Sequence, residues 1–307
     1  MSGNEKAIGI DIGGTKTAVA AVDATGRIHT LASIETRSER GFSTCLEELV
    51  RTIRGALNES KWTMDALSGI GIGCAGPVDP MRGTIHNPYT LPGWDGADMV
   101  TPLREVFPIP VRLENDADAA AVGEFQFGAG RGASPLVMVT LGTGVGGAVL
   151  VNGEIYRGVK GEHPELGHIA VVPDGPECYC GTRGCWESLA SGTAIAVAGE
   201  PFGFSDSRAV FAAAPNDAKA AMLVQRAVKA TAAAVWDLCH TILPQRVILG
   251  GGIGEEHFDV FAAAIRQQLS RATQFSKDRV EIVKAALGND AGVIGAASLA
   301  FQKANPT

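Results

Sequence analysis

The sequence has no apolar run approaching the roughly 20 residues that a membrane-spanning helix requires, and its opening, MSGNEKAIGI, shows no charged-then-apolar leader. Both absences lead us to expect a soluble, cytoplasmic protein with no membrane partner. Positive charge is also in short supply, with 26 Lys and Arg against 33 Asp and Glu and a net charge of -7. Nucleic-acid surfaces neutralise phosphates with clustered Lys and Arg, so no nucleic-acid partner is expected, and any phosphate bound must be small and held locally. Low-complexity stretches, blocks of like charge and linkers rich in proline or serine are missing too. A chain of 307 residues, 46% of them hydrophobic, is long enough for two lobes with proper cores. With no linker, their boundary should be a compact hinge near residues 110 to 118.

Cysteine is scarce, and its distribution is uneven. Cys45, Cys74 and Cys239 lie singly in apolar or helical contexts, where a thiol acts as a small hydrophobe. The other three stand together in Cys178-Tyr-Cys180-Gly-Thr-Arg-Gly-Cys185-Trp-Glu187, with His168 ten residues ahead of the first. Three thiolates and an imidazole are the ligand set of a tetrahedral structural Zn²⁺, and their closeness in sequence keeps the cost of loop closure low. Two alternatives remain at this point. The cysteines can form a disulfide or redox pair, which a cytoplasmic setting disfavours, and His163 can replace His168 as fourth ligand. Glu165 and Glu187 bracket the segment.

Three strands are expected between residues 7 and 34, AIGIDI, TAVAAVD and RIHTLASIE, joined by turns short enough to make them antiparallel. From Gly41 to Ser60, Leu46, Leu49, Val50, Ile53 and Leu57 recur at the spacing of an amphipathic helix. The strand GIGIGCAG follows, then VRLEN and a helix over Ala117 to Gln126. Next come a hairpin built from MVTLG and GGAVLVNGEIY, a helix over 216 to 240, the strand RVILGGG, a helix over 255 to 271 and a closing helix from 291. The opening meander, helix and strand recur from about residue 135. The repetition predicts two related α/β lobes with a cleft between them.

Glycine-rich loops follow three of these strands. They are Asp11-Ile-Gly13-Gly14-Thr15-Lys16, then Gly142-Thr143-Gly144-Val-Gly146-Gly147, then Gly250-Gly251-Gly252-Ile253. Glycine lets backbone amides approach a phosphate closely, so each loop is a candidate phosphate cradle. The second contains G-x-G-x-x-G, but a strand follows it where a dinucleotide fold needs a helix. The first has Thr15 where a P-loop needs its lysine, and it too runs into a strand. What remains is a pair of hairpin turns presenting N–H groups and the hydroxyls of Thr15 and Thr143. Asp116, in LENDAD, stands where a strand becomes a helix. It is either an N-cap or a general base, with Asp118 as competitor for the second role.

DIGGTK, GTGVGG and LGGGI resemble the phosphate and adenosine motifs of the actin-like ATPase and sugar kinase superfamily. H-x9-C-x-C-G-x2-G-C-x-E is similar to the zinc signature of its ROK branch, and the likeness runs from Ile8 to about Leu299. The resemblance implies two actin-like, ribonuclease H-like lobes of mixed β-sheet flanked by helices. Residues 1–115, completed by the helix at 291–307, would form the small lobe, and 116–290 the large one. It implies an ATP-dependent hexose kinase acting on the C6 hydroxyl of glucose, with Mg²⁺ and a structural Zn²⁺. Asp116 matches the general base and Asn115 a sugar ligand. Glu165, His168 and Glu187 match residues that contact the hexose ring, and Asn87 a sugar contact from the small lobe. Asp11 matches the carboxylate that holds Mg²⁺ through water. Gly13, Gly14, Thr15, Lys16, Thr143, Gly144, Gly251 and Gly252 match the ATP site. His168 takes the fourth zinc position beside Cys178, Cys180 and Cys185. Fructokinases and N-acetylhexosamine kinases share nearly all of these motifs, and the resemblance suggests a homodimer or homotetramer. A ROK repressor is the competing class. It carries a DNA-binding segment of roughly 60 to 80 residues ahead of the kinase-like body, for which Asp11 leaves no room.

Overall fold

The computed structural model describes residues 5–275 and 280–301. Contacts divide the chain into two compact units. The first takes in the chain up to Arg131, the segment Ile155–His163 and the chain from Asn289; the second takes in Gly132–Glu154 and Pro164–Gly288.

The first unit opens with β1 (Lys6–Ile12), β2 (Lys16–Asp23) and β3 (Ile28–Glu35), an antiparallel meander. Helix α1 (Phe42–Ser60) buries Cys45, Leu49, Ile53 and Ala56 on the stripe its apolar spacing predicts. Strand β4 (Gly69–Cys74) then returns parallel to β1, with Ile8 opposite Ile70 and Ile10 opposite Ile72. A small antiparallel sheet follows, made of β5 (Val78–Asp79), β6 (Thr84–Ile85) and β7 (Ala97–Asp98). After α2 (Val100–Val106), β8 (Val111–Asn115) runs parallel to β4 and leads directly into α3 (Asp116–Phe127). The main sheet has the order β3-β2-β1-β4-β8.

In the second unit, β9 (Leu136–Leu141), β10 (Val145–Val151) and the short β11 (Glu154–Ile155) repeat the meander. Helices α4 (Glu187–Ala190), α5 (Gly192–Gly199), α6 (Ser207–Ala213) and α7 (Ala218–Thr241) precede β12 (Arg246–Gly250), which is parallel to β9. Then come α8 (Gly252–Glu256), α9 (Phe258–Leu269) and β13 (Glu281–Lys284). The order β11-β10-β9-β12-β13 matches the first sheet strand for strand, as the internal repetition predicts. The helix expected over 255–271 is two helices, broken at His257.

Helix α10 (Ala291–Phe301) belongs to the first unit and packs on β1, β4 and α3; residues 302–307 of the helix expected over 291–307 lie outside the described residues. Its approach is backbone against backbone. A Cβ on Gly71 would lie 1.7 Å from the carbonyl oxygen of Ala296, and one on Gly9 2.0 Å from that of Val293. The same packing explains why α3 groups with the first unit, although the expected boundary put it in the large lobe. Cys45, Cys74 and Cys239 are buried as small hydrophobes. No helix among the described residues is long and apolar enough to cross a membrane.

Candidate functional site

Strands β1, β4 and β8 are parallel, so their carboxyl ends share one edge of the first sheet, the edge where open α/β sheets bind ligands. Asp11 is the penultimate residue of β1 and Asp116 the first of α3. Gly73 of β4 lies between them. A Cβ there would be 3.6 Å from Asp116 Cα and 3.9 Å from Asp11 Oδ1, and one on Gly292 would meet Asp11 Oδ2 at 2.3 Å. Burial, and secondarily the charge of Asp116, raise the Asp11 carboxyl to about 7 against the opposing pull of Lys16. Two crowded carboxylates are a donor set that a hard divalent cation such as Mg²⁺ fits, through oxygen ligands and retained water. Gly13, Gly14 and Thr15 form the β1–β2 turn, closed by the Gly13 N–H donating to the Lys16 carbonyl at 2.9 Å and by the Thr36 hydroxyl donating to the Gly13 carbonyl at 2.7 Å.

Asn115, not Asp116, caps α3. Its Oδ1 accepts from the N–H groups of Ala117 at 2.8 Å and Asp118 at 3.4 Å. Asp116 is already helical; its Oδ1 also accepts from the Ala117 N–H at 2.8 Å, and it sits partly exposed at the helix N-terminus. Asn87, expected as a sugar contact, ties its own loop together: its Nδ2 donates to the carbonyls of Ala75 and Gly76 at 3.2 and 2.5 Å, and its Oδ1 accepts from the N–H groups of Tyr89 and Thr90 at 3.2 and 2.8 Å.

A buried polar cluster lies next to Asp116, and sequence reasoning missed it. Asp118 Oδ2 pairs with His163 Nδ1 at 2.8 Å and lies 3.7 Å from an Arg157 guanidinium nitrogen, while the same guanidinium pairs with Glu114. Burial pushes the Glu114 carboxyl up, and Arg157 opposes the shift. His163, engaged here in the first unit, is not the fourth ligand of the cysteine cluster. Asp118, fully buried, is not presented as a base.

The cysteine cluster belongs to the second unit. His168 ends a single 3-10 turn, Leu166–His168, and the ligand atoms of His168, Cys178, Cys180 and Cys185 all lie within 4.8 Å of one another. Cys178 Sγ is 3.4 Å from His168 Nδ1, and Cys180 Sγ is 3.5 Å from Cys185 Sγ. Zinc–sulfur bonds of about 2.3 Å in a tetrahedron set sulfurs about 3.8 Å apart, against about 2.05 Å for a disulfide. The thiols are free and stand at ligand spacing, so the residues fit Zn²⁺ and the alternative of a bonded pair is set aside. The loop is shaped by bridges between Ala170 and Cys185 and between Glu177 and Arg183. Gly184 makes the tightest point, with φ +67 and a Cβ position only 1.6 Å from the Val172 carbonyl. Buried Trp186 anchors it through Nε1, which donates to Thr231 Oγ1 at 3.0 Å.

Glu187 connects this loop to the second glycine turn, since its Oε2 accepts from the Val145 N–H at 2.8 Å, next to Gly144. Tyr179 stands edge-on to the His168 ring at 5.0 Å, and burial followed by the charge of Glu187 raises its hydroxyl. Glu165 is exposed immediately before the His168 turn. The carbonyl of Thr143 accepts from Thr193 Oγ1 at 3.0 Å. Parallel β9 and β12 bring the Gly142–Gly144 turn and Gly251-Gly252 to one edge, where Gly251, at φ +78, packs against the Leu141 carbonyl. The first and second loops are hairpins, as the strands after them require; the third runs into α8.

The model of the ROK family matches residues 7–303. A glucokinase of Thermotoga maritima is 36% identical over 312 residues, 96% of each chain. An N-acetylmannosamine kinase of Citrobacter koseri is 34% identical over 295 residues, 95% of this chain and 98% of the relative. The solved structure of a ROK family glucokinase from Streptomyces griseus, in complex with glucose and AMPPNP, aligns with a TM-score of 0.80 at 32% identity, covering 97% of this chain and all of that one.

Proposed function

This chain belongs to the ROK family, and we propose that it is an ATP-dependent hexose kinase that phosphorylates the C6 hydroxyl of glucose, with Asp116 as general base. The observation that carries the reading is the placement of Asp116 at the head of α3. Asn115 takes over the capping, and Asp11 stands across Gly73. Phosphoryl transfer asks a protein to hold the acceptor oxygen in line with the γ-phosphate and to accept the hydroxyl proton as the bond forms. A partly exposed carboxylate at the carboxyl end of the parallel strands suits the second task. Asp11 would hold Mg²⁺ beside the phosphates, where the ion neutralises charge, and the glycine turns are the candidate N–H donors to ATP.

Zn²⁺ would be held by His168, Cys178, Cys180 and Cys185. Four protein ligands leave it no open position, and the ion contributes only rigidity to the loop. Glu165, His168 and Glu187 then offer fixed hydrogen bonds to the sugar, with the His168 Nδ1 on the metal side. Buried polar groups left unpaired cost about 1 to 3 kcal/mol each, which is how such a loop rejects the wrong epimer.

N-acetylmannosamine is the second substrate supported, by the relative that is 34% identical over nearly the whole chain. ADP release measured with glucose, fructose, mannose, N-acetylglucosamine and N-acetylmannosamine decides between them, and kcat/KM should be highest for glucose. Asp116→Asn should lower kcat by a factor of about 100 or more with little change in sugar affinity; near-normal turnover would remove Asp116 as the base.

A further inference from the structure

Asp118 and His163 enter the sequence as a rival base and a rival zinc ligand, yet the structure joins them to each other. The segment Ile155–His163 belongs with the first unit, whereas the chain through Glu154 and from Pro164 belongs with the second. The segment is fastened at two points. Near its start the Arg157 guanidinium pairs with Glu114 and lies 3.7 Å from Asp118 Oδ2; at its end His163 Nδ1 lies 2.8 Å from the same oxygen. Side-chain exposure is 0% for Asp118 and 9% for His163. The two acceptors bracket Asn115-Asp116, and Glu114 Oε1 also accepts the Asn115 N–H at 2.9 Å. Buried charges held in one geometry are costly if all they do is fill space, but they are directional.

We propose that His163 and Asp118, with Arg157, are positioning residues that fix the head of α3, and with it Asp116, within the first unit. They act on the reaction through Asp116. The proposal rests on the reading of Asp116 as base.

The test compares His163→Ala, Asp118→Ala, the double variant, and Asp118→Asn, which keeps an oxygen for His163 Nδ1. Each alanine variant should lose about 10- to 100-fold in kcat, with KM for ATP and zinc content unchanged. The double variant should be no worse than either single, and Asp118→Asn should recover most of the rate. If Asp118→Ala does not fold, His163→Ala, Asp118→Asn and their double carry the same comparison. A second arm needs no turnover: in His163→Ala without substrate, amide hydrogen exchange should quicken at Asn115–Asp118. A kcat within about twofold of wild type, losses that multiply in the double variant, or unchanged exchange at Asn115–Asp118 would overturn the proposal. If the wild-type protein phosphorylates none of the five sugars, the functional reading fails, while the exchange arm still decides whether the clamp exists.

Discussion

Replacing Asp11 by asparagine should stabilise the protein when divalent cations are removed, although it should abolish most activity. The reason is that Asp11 is raised from an ordinary 3.8 to about 7, by burial first and by the charge of Asp116 second. Between those two values the folded protein keeps a proton that the unfolded chain has released, so stability falls as pH rises through the window. Each tenfold change in proton affinity is worth about 1.4 kcal/mol, which puts the full penalty above pH 7 at about 4 kcal/mol. About 2 to 4 kcal/mol is therefore expected for Asp11→Asn at pH 8. In a unit of this size that corresponds to a Tm higher by roughly 5 to 10 °C.

The gain should shrink to less than half at about pH 5 and be nearly gone at about pH 4, where wild-type Asp11 is protonated in both states. Adding Mg²⁺ with ATP should raise the Tm of wild type at pH 8 more than that of the variant, because an ion beside Asp11 favours the charged form. Thermal melts from pH 4 to 8.5 in chelator, repeated with MgATP, provide the comparison. A variant that melts below wild type at pH 8, or a gap that does not change with pH, would refute the assignment of Asp11 as a strained, cation-seeking carboxylate.

Gly71→Ala would put a Cβ 1.7 Å from the Ala296 carbonyl; backbone cannot yield as a side chain can, so a loss of at least about 3 kcal/mol in urea unfolding is expected, and an unchanged midpoint would contradict the close seat of α10. On the proposed zinc site, wild-type protein should carry one zinc per chain by elemental analysis, and Cys180→Ser should carry nearly none and lose hexose affinity. Full zinc occupancy in that variant would show that Cys180 is not a ligand. Thr231→Val leaves the buried Trp186 Nε1 without its acceptor and should cost about 1 to 3 kcal/mol in the same unfolding assay.

What could be read from the sequence depended on how far apart the partners lie along the chain. The meanders, α1 and the duplicated order of strands rest on local alternation and helical spacing, which survive folding unchanged. The metal cluster was legible because three of its ligands fall within eight residues of one another and only two histidines are near. The two-residue strands β5, β6 and β7 are too short to carry any period, and the break at His257 interrupts an apolar pattern that continues on both sides of it. The helix after β8 was placed correctly, but the sequence left open whether Asp116 caps it. Asparagine and aspartate cap equally well, and only geometry shows that Asn115 has the extended backbone of a cap while Asp116 is already helical. The backbone groups that Asn87 ties together were not legible in the sequence, because they come from Ala75 and Gly76, more than ten positions away. The pairing of Asp118 with His163 spans 45 positions; nothing in the spacing of either residue announces the other.

The duplicated sheet order also shows where the asymmetry of the chemistry comes from. In both units the first two strands meet in a glycine hairpin and the fourth strand of the order ends in a glycine-containing turn, so each unit supplies the same kind of backbone donor from the same position. The units diverge after the last strand. In the first unit β8 runs without a break into α3, which places Asn115 and Asp116 at the head of a helix whose N-terminal dipole favours a carboxylate. In the second unit β13 is followed by α10, which leaves that unit to pack on β1, β4 and α3. The second unit therefore has no counterpart of Asp116 at that strand end, and what distinguishes it is the Cys/His loop that precedes α4. Repetition accounts for the paired glycine turns; the carboxylate proposed as base and the loop of the Cys/His cluster each arise from a single, unrepeated connection.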